Sequence, residues 1–263
     1  MPAQPLWSHH TSLIVCDRWP PTSPRSLAAS CIRLRRRVGA TPVHEIWALA
    51  RKDLLIEARS KVVATQVVPF AMVVLILFGL ALDADSRTLR DLAPGLFWVA
   101  TLFAGVLTIQ RSVAVETLSS TFEALRLSGA PGWKLFAGKA LAVGVQLLAV
   151  EAVLALGIVV LYRSEFEDPV LVVTAAVAAT IAIASAGSLY GVLAVGMGVR
   201  DTILPMLLLP IMMPVLVAAT RAFGDGLGTA ALDGWTWTGL LGLLAIIYAT
   251  VGALAYAVVI EDT

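Results

Sequence analysis

Three histidines, two cysteines and one isolated acid bound the chemistry open to this chain. His9, His10 and His44 all precede the first long apolar run, and so do Cys16 and Cys31. No Ser-His-Asp set, HExxH metal helix, histidine-ligated haem or thiol centre can therefore be assembled within the apolar part. No GxxxxGK[ST] motif is present; the nearest stretch, Gly129-Ala-Pro-Gly-Trp-Lys134, has neither the spacing nor the hydroxyl residue of a phosphate-binding loop. The polypeptide does not hydrolyse ATP by itself, and any work it performs must be energised by a partner.

Glu151 is the exception to this thin inventory. It is the lone acid near the midpoint of a long uncharged run, where an ionised carboxylate costs roughly 2.5–3.5 kcal/mol on insertion scales. Such a residue has to face protein or water. In one reading it is a gating residue, a proton site or a polar contact in a transport path. In the other it is a hydrogen-bonding anchor to a neighbouring helix, through Ser185, Ser188 or Tyr190.

The elements that must position it follow from composition. Of 263 residues, 59% are apolar and only 14% charged, against roughly 25% charged in an ordinary soluble domain. A mean hydropathy of +0.87 agrees, so a water-soluble enzyme is excluded. A net charge of +1 gives no nucleic-acid footprint. Six runs, 62–82, 92–110, 140–161, 169–199, 202–220 and 234–260, are each close to or above the ~20 residues that cross a bilayer as a helix. The fold expected is an all-α, six-span integral membrane protein. With the N-terminus inside, Arg51, Lys52, Arg59, Lys61, Arg111, Arg126, Lys134, Lys139 and Arg200 lie inside, against Arg87, Arg90, Arg163 and Arg221 outside. That bias places both termini on the cytoplasmic side. Residues 1–43 read as a poorly ordered tail, the alternative being a translation start nearer Val38 or Val43.

Before the first run, residues 44–61 carry Trp47, Ala50, Leu54 and Ala58 on one helical face and Lys52 and Arg59 on another. This pattern predicts a helix lying at the membrane surface, with an extension of the first span as the alternative. The long inner connector contains ETLSSTFEALRLS, residues 116–128, with Leu118, Phe122 and Leu125 at i, i+4 and i+7 and Ser119, Glu123 and Arg126 opposite. It reads as a short amphipathic helix that either enters a groove of a soluble partner or caps the loop against the membrane.

Within the fourth run, Gly187 and Gly191 form a GxxxG pair suited to close helix packing. In the fifth, Pro205, Pro210 and Pro214 interrupt the hydrogen-bond ladder, with Met206, Met212 and Met213 between and beside them. Such a helix is either statically kinked or changes shape during gating. Trp235 and Trp237 sit at the start of the last run, where tryptophan anchors to the interface.

Taken as an ordered set, RKDLLIEARS (51–60), LAPGLFWVATLFAGVLTIQRS (92–112), FEALRLSGAPGWKLFAGKA (122–140), LLAVEAVLAL (147–156) and DTILPMLLLPIMMPVLVAA (201–219) resemble the cytochrome c maturation protein B family. These are haem exporter proteins B, membrane subunits of ABC-type complexes. Residues 1–43 depart from that family's short start. The resemblance implies an ABC-2-like permease in the bacterial inner membrane. It also implies that Glu116, Leu118, Phe122, Glu123, Leu125 and Arg126 form a coupling helix seated on an ATPase subunit, cytochrome c maturation protein A. Further partners implied are the haem-handling cytochrome c maturation protein C, a small single-span subunit, a haem chaperone and membrane lipid. By the same resemblance haem is expected as the transported or handled species, with no cofactor held stably by this chain and no metal site, and ATP acts through the partner. The alternatives are a generic ABC-2-type exporter of another lipid or drug, or an ATP-independent carrier. An intramembrane enzyme is disfavoured by the lack of convergent His, Cys or paired carboxylates in the runs.

Overall fold

A computed structural model describes residues 42–81, 86–118, 131–164, 166–196, 203–230 and 233–262. Among these there are seven α-helices and no strand: α1 (Pro42–Ser60), α2 (Val68–Ala81), α3 (Ser86–Leu118), α4 (Gly132–Tyr162), α5 (Pro169–Gly196), α6 (Ile203–Gly226) and α7 (Gly234–Asp262). A π-helical turn, Val63–Val67, leads into α2. Six of these segments, α2 with its π turn through α7, are long and apolar enough to cross a membrane. Glu45–Thr263 forms one compact unit. The tail expected over residues 1–43 falls almost wholly outside the described residues.

The helices overrun the uncharged runs. The run at 92–110 lies inside the 33-residue α3, and the run at 140–161 lies inside a helix that already begins at Gly132. The fifth run continues to Gly226, carrying Arg221 on an exposed face. Charges mark where hydrocarbon ends, whereas the i→i−4 ladder ends where a cap or a breaker intervenes. α4, for example, stops only at Arg163, which takes a left-handed φ of 52° while the Ser164 N–H bonds back to the Ile158 carbonyl at 3.4 Å. α1 ends in the same way at Lys61, φ 54°. Just beyond, the Glu57 carboxylate accepts the Val63 N–H at 2.5 Å and so caps the π turn.

The residues of α1 that pack on the bundle are only partly those of the apolar face read from the sequence. Ala50 is buried and Leu54 half-buried, but Trp47 and Ala58 are exposed. Ile46 and Leu49 instead meet α4 at Gly138, where an added Cβ would stand 2.7 Å from Leu49 Cβ. The Lys134 ammonium ties the two helices by donating to Glu45 Oε2 at 2.5 Å. Trp47 is amphipathic, and its exposure suits a helix lying at the membrane surface better than burial would.

α3 and α5 form the centre, with 61% of each span buried, whereas α7, at 17%, lies at the periphery. Phe97 and Phe223 stack with centroids 4.8 Å apart and Trp98 meets Phe223 edge-on at 5.0 Å, locking α3 to α6. α1, the start of α4 and the end of α7 share one end of the bundle, where the Phe136 and Tyr256 rings lie 5.9 Å apart. At the other end the Tyr162 hydroxyl donates to the Leu75 carbonyl at 2.6 Å. There the Glu167 and Asp168 N–H groups donate to the Gly226 carbonyl at 3.0 and 3.1 Å. Asp233 caps α7 through the backbone N–H and hydroxyl of Thr236, and that hydroxyl first of all holds its carboxyl below the ordinary range.

Candidate functional site

α4 and α5 form an antiparallel hairpin, and its register places the polar residues. α4 ends at Tyr162 and α5 begins at Pro169, so Glu151 and Thr180 each stand eleven residues from the turn. The Thr180 hydroxyl accordingly donates to Glu151 Oε1 at 2.7 Å. The anchors expected, Ser185, Ser188 and Tyr190, lie further from the turn than the carboxyl reaches, because each residue displaces a helical position by about 1.5 Å. Glu151 is only 4% exposed, and its second oxygen, Oε2, has no hydrogen-bond partner among the described residues.

Glu151 lines a groove of about 440 Å³. Phe97 of α3 and Phe223 of α6 close one side, and Val172 and Ala176 of α5 another. Ala152, Phe166, Val173 and Val177 also line it and are exposed, so the groove opens sideways on the outer surface of the bundle. Every other lining side chain is hydrocarbon. The site therefore offers one polar group in an apolar channel, a constellation that can hold a polar head or a proton but supplies no nucleophile–base pair. No group of three or more His, Cys, Asp or Glu suited to a metal ion occurs among the described residues.

The remaining site residues fall elsewhere. Gly187 and Gly191 face α3: a Cβ on Gly187 would stand 2.7 Å from Ile109 Cγ1 and closer still to its Cδ1, and one on Gly191 would stand 2.7 Å from Val113 Cγ2. Pro205, Pro210 and Pro214 all lie in α6, the last two in its interior. Tyr248 of α7 donates its hydroxyl to the Ile211 carbonyl at 2.9 Å, beside the Pro210 carbonyl that Pro214 leaves without its N–H. Met212 is buried, while Met206 and Met213 point outward. Glu116 and Leu118 belong to the last turn of α3. Phe122, Glu123, Leu125 and Arg126 lie outside the described residues.

A family model described as CcmB protein matches residues 44–262, which include every helix that contributes to the groove. The chain belongs to the CcmB family. Among curated relatives, heme exporter protein B of Pseudomonas aeruginosa is 31% identical over 201 residues, covering 75% of this chain and 86% of the relative. The proteins of the same name in Bradyrhizobium diazoefficiens and Haemophilus influenzae are 28% and 25% identical, covering 66% and 65% of this chain. This CcmB family member is thus a multi-pass membrane component, with Glu151 buried in its helical bundle beside a groove that opens on the bundle's side. Thr180 and the Phe97–Trp98–Phe223 cluster were not singled out from the sequence. Hairpin register would have found Thr180; nothing local points Phe97 at Phe223.

Proposed function

We propose that this chain is the permease subunit of an ABC-type complex in cytochrome c biogenesis. In this role it couples ATP hydrolysis by a partner ATPase to haem delivery or to release of a haem-loaded chaperone. The names of the relatives support haem as the handled species. The observation that carries the coupling role is the length of α3. Its 33 residues extend about 50 Å, well beyond ~30 Å of hydrocarbon. Its last residue, Leu118, comes at the end of the bundle shared by α1, the start of α4 and the end of α7. The basic bias of the connectors supports a cytoplasmic placement of that end in the inner membrane. Docking there seats Phe122 and Leu125 on the ATPase, the partner corresponding to cytochrome c maturation protein A. The rearrangement of the bundle then passes through the proline-bearing α6 and the Glu151 contact.

The test is replacement of Phe122 and Leu125 by Asp. ATPase-subunit copurification should be lost while membrane insertion is retained; unchanged copurification overturns the docking assignment. For the role of Glu151, Glu151→Gln and Glu151→Leu are compared for cytochrome c production in cells. Full activity in both removes the carboxyl from the mechanism.

A further inference from the structure

The open side of the Glu151 groove carries an inference that goes beyond coupling and stands whether or not an ATPase docks. Glu151 is eleven residues from the end of α4, or about 16 Å, which is the middle of a ~30 Å hydrocarbon layer. Its Oε1 is taken by Thr180 and its Oε2 is buried without a partner, and the residue lines a cavity whose other side chains are all apolar. Water is a poor occupant, because a buried water needs two to four polar partners and the groove supplies essentially one. The lip residues Ala152, Val173 and Val177 are exposed to the surface a bilayer covers. A volume of about 440 Å³ lies within the range of small-molecule sites.

We propose that the groove is a lateral binding site for a membrane-soluble molecule with a slender apolar body and a terminal hydroxyl. It enters between α4 and α5 from the bilayer and pairs its hydroxyl with Glu151 Oε2, the buried carboxyl turning to bring that oxygen to the groove. A hydroxyl both donates and accepts, so it complements the carboxyl whether or not Oε2 carries the proton. An ammonium matches only the carboxylate and a carbonyl only the acid. Phe97, Val172 and Ala176 take the body of the molecule by apolar contact.

The experiment uses the full-length chain in phosphatidylcholine vesicles and dicyclohexylcarbodiimide as a lipid-borne probe of the carboxyl. The carboxyl oxygen adds to the central carbodiimide carbon and the acid proton passes to one nitrogen. The acyl group then migrates to a nitrogen to give a stable N-acylurea, with nothing released. Mass spectrometry should find the adduct on the peptide containing Glu151, while a water-soluble carbodiimide leaves that peptide unlabelled. Hexadecanol should slow the labelling at a concentration about tenfold below that needed with hexadecane, the margin a hydrogen bond to a carboxyl provides. Ala152→Phe at the lip, where an added ring leaves the packed core untouched, should slow labelling without any competitor. Absence of the adduct from wild-type protein, equal labelling by the water-soluble reagent, or equal protection by hexadecane overturns the proposal. Protection by hexadecylamine but not by hexadecanol also overturns it, in favour of charge recognition.

Discussion

The two halves of α5 do opposite things. Towards its end, Gly187 and Gly191 let α3 approach until Ile109 and Val113 occupy the space a Cβ would need. Towards its start, Val172 and Ala176 line a groove of about 440 Å³, and one turn further on Thr180 donates its hydrogen bond to Glu151 of α4. Lipid tails are as apolar as leucine, so helices in a bilayer gain little from hiding hydrocarbon and associate through close packing or polar contacts. α5 uses one solution in each half. What the facing helix offers decides the outcome: β-branched side chains of α3 fill the notch at Gly187 and Gly191, whereas Leu148, Ala152 and Ala155 of α4 leave the groove open around a carboxyl.

The sharpest way to break this contrast is to give the closed half a side chain. Gly187→Leu drives four carbons into Ile109 and should cost about 3 kcal/mol, the upper end of overpacking penalties. The readout is the unfolding midpoint of detergent-solubilised protein. Ile109→Ala in the same chain vacates the space and should restore more than half of the loss, a coupling that no pair of independent sites shows. If Gly187→Leu unfolds at the wild-type midpoint, the α3–α5 contact is not tight and the contrast fails.

The polar contact of the open half comes next. Thr180→Val keeps the shape and removes the donor to Glu151 Oε1, which should cost about 0.6–1.7 kcal/mol, the range of interhelical hydrogen bonds in membranes. Glu151→Leu should cost less than Thr180→Val in the same unfolding measurement. The Thr180 hydroxyl can turn to the carbonyl of Ala176 one turn back, and no buried carboxyl remains to be satisfied. That order, acid removal milder than hydroxyl removal, would show that the fold does not need Glu151. The reverse order would make the acid a structural anchor.

Much of this was legible in the sequence, for reasons that also explain what was not. Six spans stand out because ~20 uncharged residues are rare outside membranes, and Glu151 stands out because it interrupts one of them. The helix ends did not follow from charge, since α3 and α4 run on through Arg111 and Lys134 until chain geometry stops them. Which residues of α1 pack on the bundle was not legible, because Ile46, Leu49 and Ala50 satisfy the helical period as well as Trp47, Ala50, Leu54 and Ala58 do. Only the notch at Gly138 distinguishes them. Thr180 was hidden among the hydroxyls of α5, since selecting it requires knowing that the hairpin turns between Tyr162 and Pro169. Phe97 and Phe223 meet across more than a hundred residues, a distance that periodicity does not cross.

The smallest effect tests the open half by the same operation that should break the closed one. Ala176 lies on α5 three turns before Gly187, half-buried and lining the groove. Ala176→Leu adds more volume than many core substitutions that unfold proteins, yet the groove has room for three methyl-sized groups without displacing α4. The unfolding midpoint should therefore stay within the equivalent of about 0.5 kcal/mol of wild type. The substitution narrows the approach to Glu151 at the same time. A stable protein whose carboxyl is labelled more slowly from the bilayer separates space from strength in one measurement. A loss as large as that of Gly187→Leu would mean that the groove closes in the folded protein and that both halves of α5 are packed alike.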